Sequence, residues 1–361
     1  MGQRAYWSMR TPRLDDGAMN TNRRALLKQL SLASAACAFG APRFACAAAP
    51  PARDPTKDWD WLTGNWDVRH ERLRDRLVGS TTWDEFDGKS AFWHTLGGFG
   101  NVDDDLLHLP TGTYRAFSAR TYEPATDQWA IYWLDGRTAG RLDPPVRGGF
   151  TGTEGEFFGP DVHKGTPVTV RFRWHETGSK RPWWDQALST DDRKSWEINW
   201  RNYFTRTSAQ ATPIALEGPE DPAAKDWKFL VGKWRVKNRR RKADGSWEEF
   251  PSELANWPVM GGLGNVGDNV FHAAAGTYRG MSLRAYDSTA KTWRSWWVDG
   301  RAPTDIGAPL SGGFVQGVGT LTDAGARSTW SRVDSGAPRW EQAVSQNGQW
   351  QTNWVADFER A

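Results

Sequence analysis

The sequence predicts an all-β protein built as two antiparallel barrels in tandem, each of about eight to ten strands. Three observations carry this: the chain nearly repeats itself, its segments alternate with a period of two, and turn signals fall between them at short intervals. Asp58-Trp59-x-x-Leu62-x-Gly64-x-Trp66-x-Val68 returns as Asp226-Trp227-x-x-Leu230-x-Gly232-x-Trp234-x-Val236. Gly97-Gly98-x-Gly100-Asn101-Val102 returns from Gly261, Trp133-x-Asp135-Gly136-Arg137 from Trp297, Gln186-Ala187 as Gln342-Ala343, and Asn199-Trp200 as Asn353-Trp354.

The first 47 residues stand apart from the repeat. Asn22-Arg23-Arg24 opens a charged stretch, a mildly apolar run follows from Leu30 to Phe39, and Ala45-Cys46-Ala47 offers a small-residue cleavage site. This resembles a twin-arginine signal peptide spanning 1–47, and Met19 would make residues 1–18 an over-extended start. The expected product is periplasmic or secreted. Cys37 and Cys46 leave with the signal, so the mature chain has no thiol for disulfides, nucleophilic catalysis or zinc ligation. Seven of the 46 basic residues and two of the 43 acidic ones also precede Ala48, leaving 39 against 41. Near-neutrality gives no electrostatic case for nucleic acid. No apolar run is long enough to span a membrane.

Copy one runs over 58–206 and copy two over 226–361, with a Pro- and Ala-rich linker at 207–225. Strand-like segments are expected near 66–76, 82–87, 91–97, 113–122, 129–134, 150–158, 168–175 and 183–189, parted by Asp87-Gly88, Glu123-Pro124, Asp135-Gly136 and Lys164-Gly165. In the last strand Trp196, Ile198, Trp200, Asn202, Phe204 and Arg206 are expected on one face, and in copy two Trp350, Thr352, Trp354, Ala356 and Phe358. Of 24 tryptophans all but Trp7 lie in the mature chain, which implies aromatic walls more than an aliphatic core.

Gly64-x-Trp66 at the start of a copy and Arg206 at its end resemble the calycin pattern. That resemblance implies a barrel floor in which Arg206 packs across Trp66, and Arg360 across Trp234. Each copy further resembles a bacterial lipocalin-like family without an established function, through Gly-Gly-x-Gly-Asn-Val, Tyr122-x-Pro124-x-Thr126-x-x-Trp129, Trp133-Leu134-Asp135-Gly136-Arg137, Val170-Arg171-Phe172-x-Trp174 and Trp184-x-Gln186-Ala187-x-Ser189. The departures fall in copy two, which has Asp287-Ser288 for Glu123-Pro124 and reads as Ser328-Thr329 for Arg171-Phe172.

Comparing the halves yields a short list of polar candidates. Of six histidines only His108 recurs, as His272, so these two are the candidates for a metal or haem ligand; a strand-end His bonded to a carbonyl is the simpler reading. Asp135 and Arg137, with Asp299 and Arg301, read either as an acid–base pair at the barrel mouth or as a turn that satisfies itself. Arg120 and Arg284 read as anchors for an anionic ligand group or as partners of Asp135 and Asp299. Gln186 and Gln342 are buried amides whose partner is a ligand or a neighbour. With Trp133, Trp200, Trp297 and Trp354 they make up the expected ligand-binding set.

Three functions remain. The first is a small-molecule binding protein for an apolar or aromatic ligand, with haem as a variant and no other cofactor expected. The second is an enzyme using a lumen Asp/Arg pair. The third is a carbohydrate-binding module, which needs exposed rings. Oligomeric state is left open.

Overall fold

Ten antiparallel strands close into one barrel, and ten more close into a second. The computed structural model describes residues 53–361, so the signal-peptide reading and both cysteines lie outside the described residues. The first barrel comprises β1 (Gly64–Leu73), β2 (Trp83–Thr95), β3 (Gly100–Leu109), β4 (Gly112–Glu123), β5 (Gln128–Asp135), β6 (Val146–Thr151), β7 (Glu154–His163), β8 (Thr166–His175), β9 (Trp183–Ser189) and β10 (Glu197–Ser208). The second comprises β11 (Gly232–Arg241), β12 (Trp247–Val259), β13 (Gly264–Ala273), β14 (Gly276–Asp287), β15 (Thr292–Asp299), β16 (Leu310–Val315), β17 (Val318–Thr322), β18 (Ala326–Ser331), β19 (Arg339–Gln346) and β20 (Gln349–Arg360). The first strand of each pairs with the last, which leaves neither sheet an open edge.

The floor of each barrel has one construction. The Arg206 guanidinium lies 4.1 Å from the Trp66 ring centroid and donates to the carbonyls of Trp61 and Thr63. Arg360 lies 3.9 Å from Trp234 and donates to Val231 and Phe229. Glycine precedes each tryptophan because the arginine passes there: at Gly64, φ is +122° and a Cβ would stand 2.7 Å from Arg206 Nη1. Trp129 Nε1 donates to Asp58 at 2.7 Å and Trp293 Nε1 to Asp226 at 2.8 Å, which accounts for the aspartate that opens each motif.

Four expectations are corrected in detail. Asp87-Gly88 is no turn, and β2 runs straight through it, because Gly88 leaves room for the His70 ring, whose Nε2 would be 2.5 Å from a Cβ. The segment 150–158 is a hairpin turning at Gly152. A bulge at Asn199 breaks the alternation of β10, so Trp196 stands outside against Phe158 and Arg171 while Trp200 stands inside. The same bulge at Asn353 turns Trp350 outward under Arg327. Finally, Arg327 pairs with Ala343 as Arg171 does with Ala187, so the departures are Ser328 for Phe172 and Thr329 for Arg173, with Arg171 retained as Arg327.

The two barrels dock through the outer faces of β3 to β5 and β13 to β15, around Val102, Phe117, Leu134, Val266, Met281 and Val298. The contacts come in matched pairs. Leu96 N donates to Asp268 at 3.0 Å and Met260 N to Asp104 at 2.6 Å, while the counterparts Trp93 and Trp257 pack with centroids 5.7 Å apart. Gly-Gly-x-Gly thus recurs because it shapes the turn at this interface, where a Cβ on Gly97 would meet Arg279 Nε at 2.7 Å. Linker residue Ile214 packs against Ala91 and Leu106 of the first barrel.

Candidate ligand site in the first barrel

Strand parity decides which groups can meet a ligand. Asp103, Asp105 and Leu107 of β3 line a lumen cavity of about 140 Å³. Their neighbours Asp104 and His108 point outward, to the Met260 amide and to Glu217. Opposite β3 the walls are aromatic: Trp133, Phe172, Trp174, Trp184 and Trp200. The Trp200 ring makes edge contacts with Trp184 at 5.8 Å and with Trp133 at 6.4 Å, both near perpendicular.

The polar side of the cavity is a short chain of charges. Arg120 Nη2 donates to Asp103 at 2.7 Å and Nη1 to Asn101 at 2.8 Å, with its carbon 4.9 Å from the Trp59 ring. Asp103 also accepts from the Ser118 amide, and the Ser90 hydroxyl donates to Asp105. Burial, and then the neighbouring Asp103 charge, push the Asp105 carboxyl well above the usual carboxylate range. Its surface is partly open to the cavity, but the cavity is too small to supply bulk solvation. His70 stacks on Phe86 at 4.7 Å with Nδ1 2.7 Å from Asn202, and burial pushes the imidazole down to about 4.

Of the sequence candidates, Arg120, Trp133, Gln186 and Trp200 line this cavity. Gln186 Nε2 donates to Asn199 at 2.8 Å, so the bulge supplies its amide with a partner. The partner of Arg120 is Asp103, not Asp135. Asp135 instead accepts from both the backbone and the guanidinium of Arg137 at 2.9 Å, and Arg137 lies 3.8 Å from the Tyr114 ring. Asp299 and Arg301 repeat that self-contained turn beside Tyr278. His108 and His272 are on outer faces, the latter 3.2 Å from Thr277. Among the described residues no group of three His, Cys, Asp or Glu side chains is placed to hold a metal ion. About half of the indole rings are buried, and Trp247 and Trp350 are the exposed ones among the described residues, which leaves little ring surface for the carbohydrate reading.

The second barrel keeps the arginine and loses the acids. Gly267 and Asn269 stand where the first barrel has Asp103 and Asp105, and the ladder confirms the match, with Ser282 opposite Gly267. Arg284 donates to Asn265 at 2.7 Å and lies 4.2 Å from Trp227, and burial pushes it down to about 9. Phe271 replaces Leu107 and reaches Trp297 at 6.0 Å and Trp354 at 5.5 Å, filling space between the expected ligand residues. Trp354 donates to Asn238 at 3.0 Å, and Gln342 is buried beside it in the ladder.

Sequence reasoning missed His70, Ser90, Asp103 and Asp105. A filter that keeps only recurrent residues discards whatever one copy alone possesses. The available signal was Asp103-Asp104-Asp105, three successive residues of a type depleted from strands, set within a predicted barrel.

The fold and this lumen define a tandem-barrel protein with a candidate small-molecule site in its first barrel. No family model matches the sequence, and no curated protein matches it. Among solved structures the chain is similar to a protein of unknown function of the DUF3598 family from Nostoc punctiforme, at 11% identity over 86% of this chain and 100% of that one, with a TM-score of 0.26. It is also similar to a double mutant of transferrin binding protein B from Haemophilus parasuis (7% identity, 81% and 75% covered, TM-score 0.19). A third is kievitone hydratase from Nectria haematococca (10% identity, 86% and 94% covered, TM-score 0.15). At these values none of the three bears on what this chain does.

Proposed function

We propose that the chain is an exported, lipocalin-like protein of the periplasm whose first barrel binds a small aromatic molecule. The observation that carries this is the cavity itself: about 140 Å³, walled by indole rings on one side and buried polar groups on the other. A dry cavity of about 150 Å³ accepts benzene, so the volume suits a single substituted ring. Aromatic walls and a few fixed polar groups are the usual make-up of such sites.

Native mass spectrometry of the mature protein purified from its source tests the reading. A released ligand of one-ring size, at one per chain, supports it; a chain that is ligand-free and takes up no single-ring aromatic from a panel would end it.

The second reading is an enzyme, and Asp105 favours it, since a cavity carboxyl whose pKa burial raises is suited to donating a proton. The pair that the sequence placed at Asp135 and Arg137 would then be Asp103 and Arg120, with Asp105 as the acid. Turnover of any bound aromatic that survives Asp105→Asn unchanged would dismiss it.

A further inference from the structure

We propose that the first barrel selects an organic cation, a primary or substituted ammonium carried on an aromatic or short apolar body, held between Asp105 and the indole walls. This rests on the lumen-binding reading above and names the ligand class of that same site.

The first argument is charge. The residues lining the cavity include four carboxylates, Asp103, Asp105, Asp143 and Asp161, and one guanidinium, Arg120. That guanidinium is already committed to Asp103 at 2.7 Å and Asn101 at 2.8 Å. Asp105 is therefore left with the Ser90 hydroxyl, a side-chain hydrogen bond to Asp103 and only the more distant attraction of Arg120, with no ion pair of its own among the described residues. Arg72 and Arg76, from the end of β1 and the loop after it, do not line the cavity, and Arg72 lies 4.5 Å from the Trp200 ring. An ammonium entering the lumen would give Asp105 the counter-ion that the fold withholds. Burial raises the pKa of Asp105 and of Asp143 alike, so the ionised form of each gains from a cation brought beside it.

The second argument is independent of charge. Trp184 and Trp133 both meet Trp200 near a right angle, at 81° and 82°, and Phe172 meets Trp184 at 69°. Rings in edge-to-face contact pack on one another, and the Trp200 ring already holds the Arg72 guanidinium, so an ammonium would meet the remaining ring surfaces that line the cavity, where attraction to the ring quadrupoles adds to that of the carboxylates.

The second barrel supplies an internal contrast. It retains Trp297, Trp340 and Trp354 but has Gly267 and Asn269 in place of the acids, with an unneutralised Arg284 below them. Its lumen has the wrong sign for a cation, so one cation site per chain is expected.

Three single-ring probes of similar size separate the possibilities: benzylamine, benzyl alcohol and benzoate, titrated calorimetrically into the whole mature chain at neutral pH. The expected result is one site per chain, benzylamine at least tenfold tighter than benzyl alcohol, and no binding of benzoate. Asp105→Asn, which installs the residue found at this place in the second barrel, should bring benzylamine to within about twofold of benzyl alcohol. Benzyl alcohol binding as well as or better than benzylamine to the wild-type chain overturns the cation proposal and leaves aromatic binding standing. If none of the three binds, both readings fall. The wild-type comparison decides even where the variant does not fold.

Discussion

Arg120 Nη2 donates to Asp103 Oδ2 at 2.7 Å, and both side chains are buried inside the first barrel. The second barrel keeps the arginine as Arg284 and offers it Gly267 instead. One site therefore holds a compensated charge and the other an uncompensated one. Removing one member of a buried pair strands its partner at a cost of about 3–5 kcal/mol, whereas replacing a buried charge that has no ionic partner strands nothing and relieves the desolvation penalty of that charge. Arg120→Met should lower stability by roughly that amount, and Arg284→Met should leave it unchanged or raise it by about 1 kcal/mol. Urea midpoints of the two variants provide the check. Equal losses at both sites would show that the arginines serve the same packing role in each barrel.

His70 is Asn238 in the other copy, which makes His70→Asn a substitution the fold already accommodates. Burial holds the imidazole near 4, below its ordinary value of 6.5, so the unfolded chain binds the extra proton between these values. Stability from His70 is thus complete above 6.5 and is lost as pH falls towards 4. At about 1.4 kcal/mol per unit the loss approaches roughly 3 kcal/mol. Asp104, pushed up to about 6 by burial, titrates over much of the same range with the opposite sign. The informative quantity is therefore the difference between wild type and His70→Asn, which should grow by roughly 3 kcal/mol from pH 6.5 to 4. Parallel stability curves would contradict the assignment.

Gly64→Ala should unsettle the barrel floor. The new Cβ would collide with the Ser208 carbonyl oxygen and stand 2.7 Å from Arg206 Nη1, in a backbone conformation with φ of +122°. Such strain costs about 1–3 kcal/mol, read as a lowered melting temperature. Gly232→Ala should behave alike, since Arg360 Nη1 would stand 2.5 Å from its Cβ.

Phe117 is fully buried between the barrels rather than inside either one. Phe117→Ala should cost about 3–5 kcal/mol while leaving lumen affinity for a single-ring probe within about twofold. A matching loss of affinity would show that the docked face and the lumen are coupled.

Much of the fold was legible because it is written in covalent periodicity. Alternation and turn residues mark strands, and the Gly-x-Trp with a late Arg marks a floor whose geometry each barrel repeats. The errors have physical sources. A bulge at Asn199 is one residue long and reverses every parity assignment before it, which moved Trp196 and Trp350 from the expected inner face to the outer one. Asp87-Gly88 carries a turn signature, but its glycine serves the His70 ring. The site was legible only in part: Arg120, Trp133, Gln186 and Trp200 reach the lumen, while Asp135 and Arg137 are spent on each other. Repetition preserved what two barrels need to close and to dock. The acids that distinguish the first lumen lie where repetition stops.

The most direct test is a crystal structure of the mature chain soaked with 4-bromophenol, with the bromine located by anomalous scattering. The account predicts one bromine per chain inside the first barrel, among Trp133, Trp184 and Trp200. Bromine found only on the outer surface or only in the second barrel, with the first lumen unfilled, would contradict it.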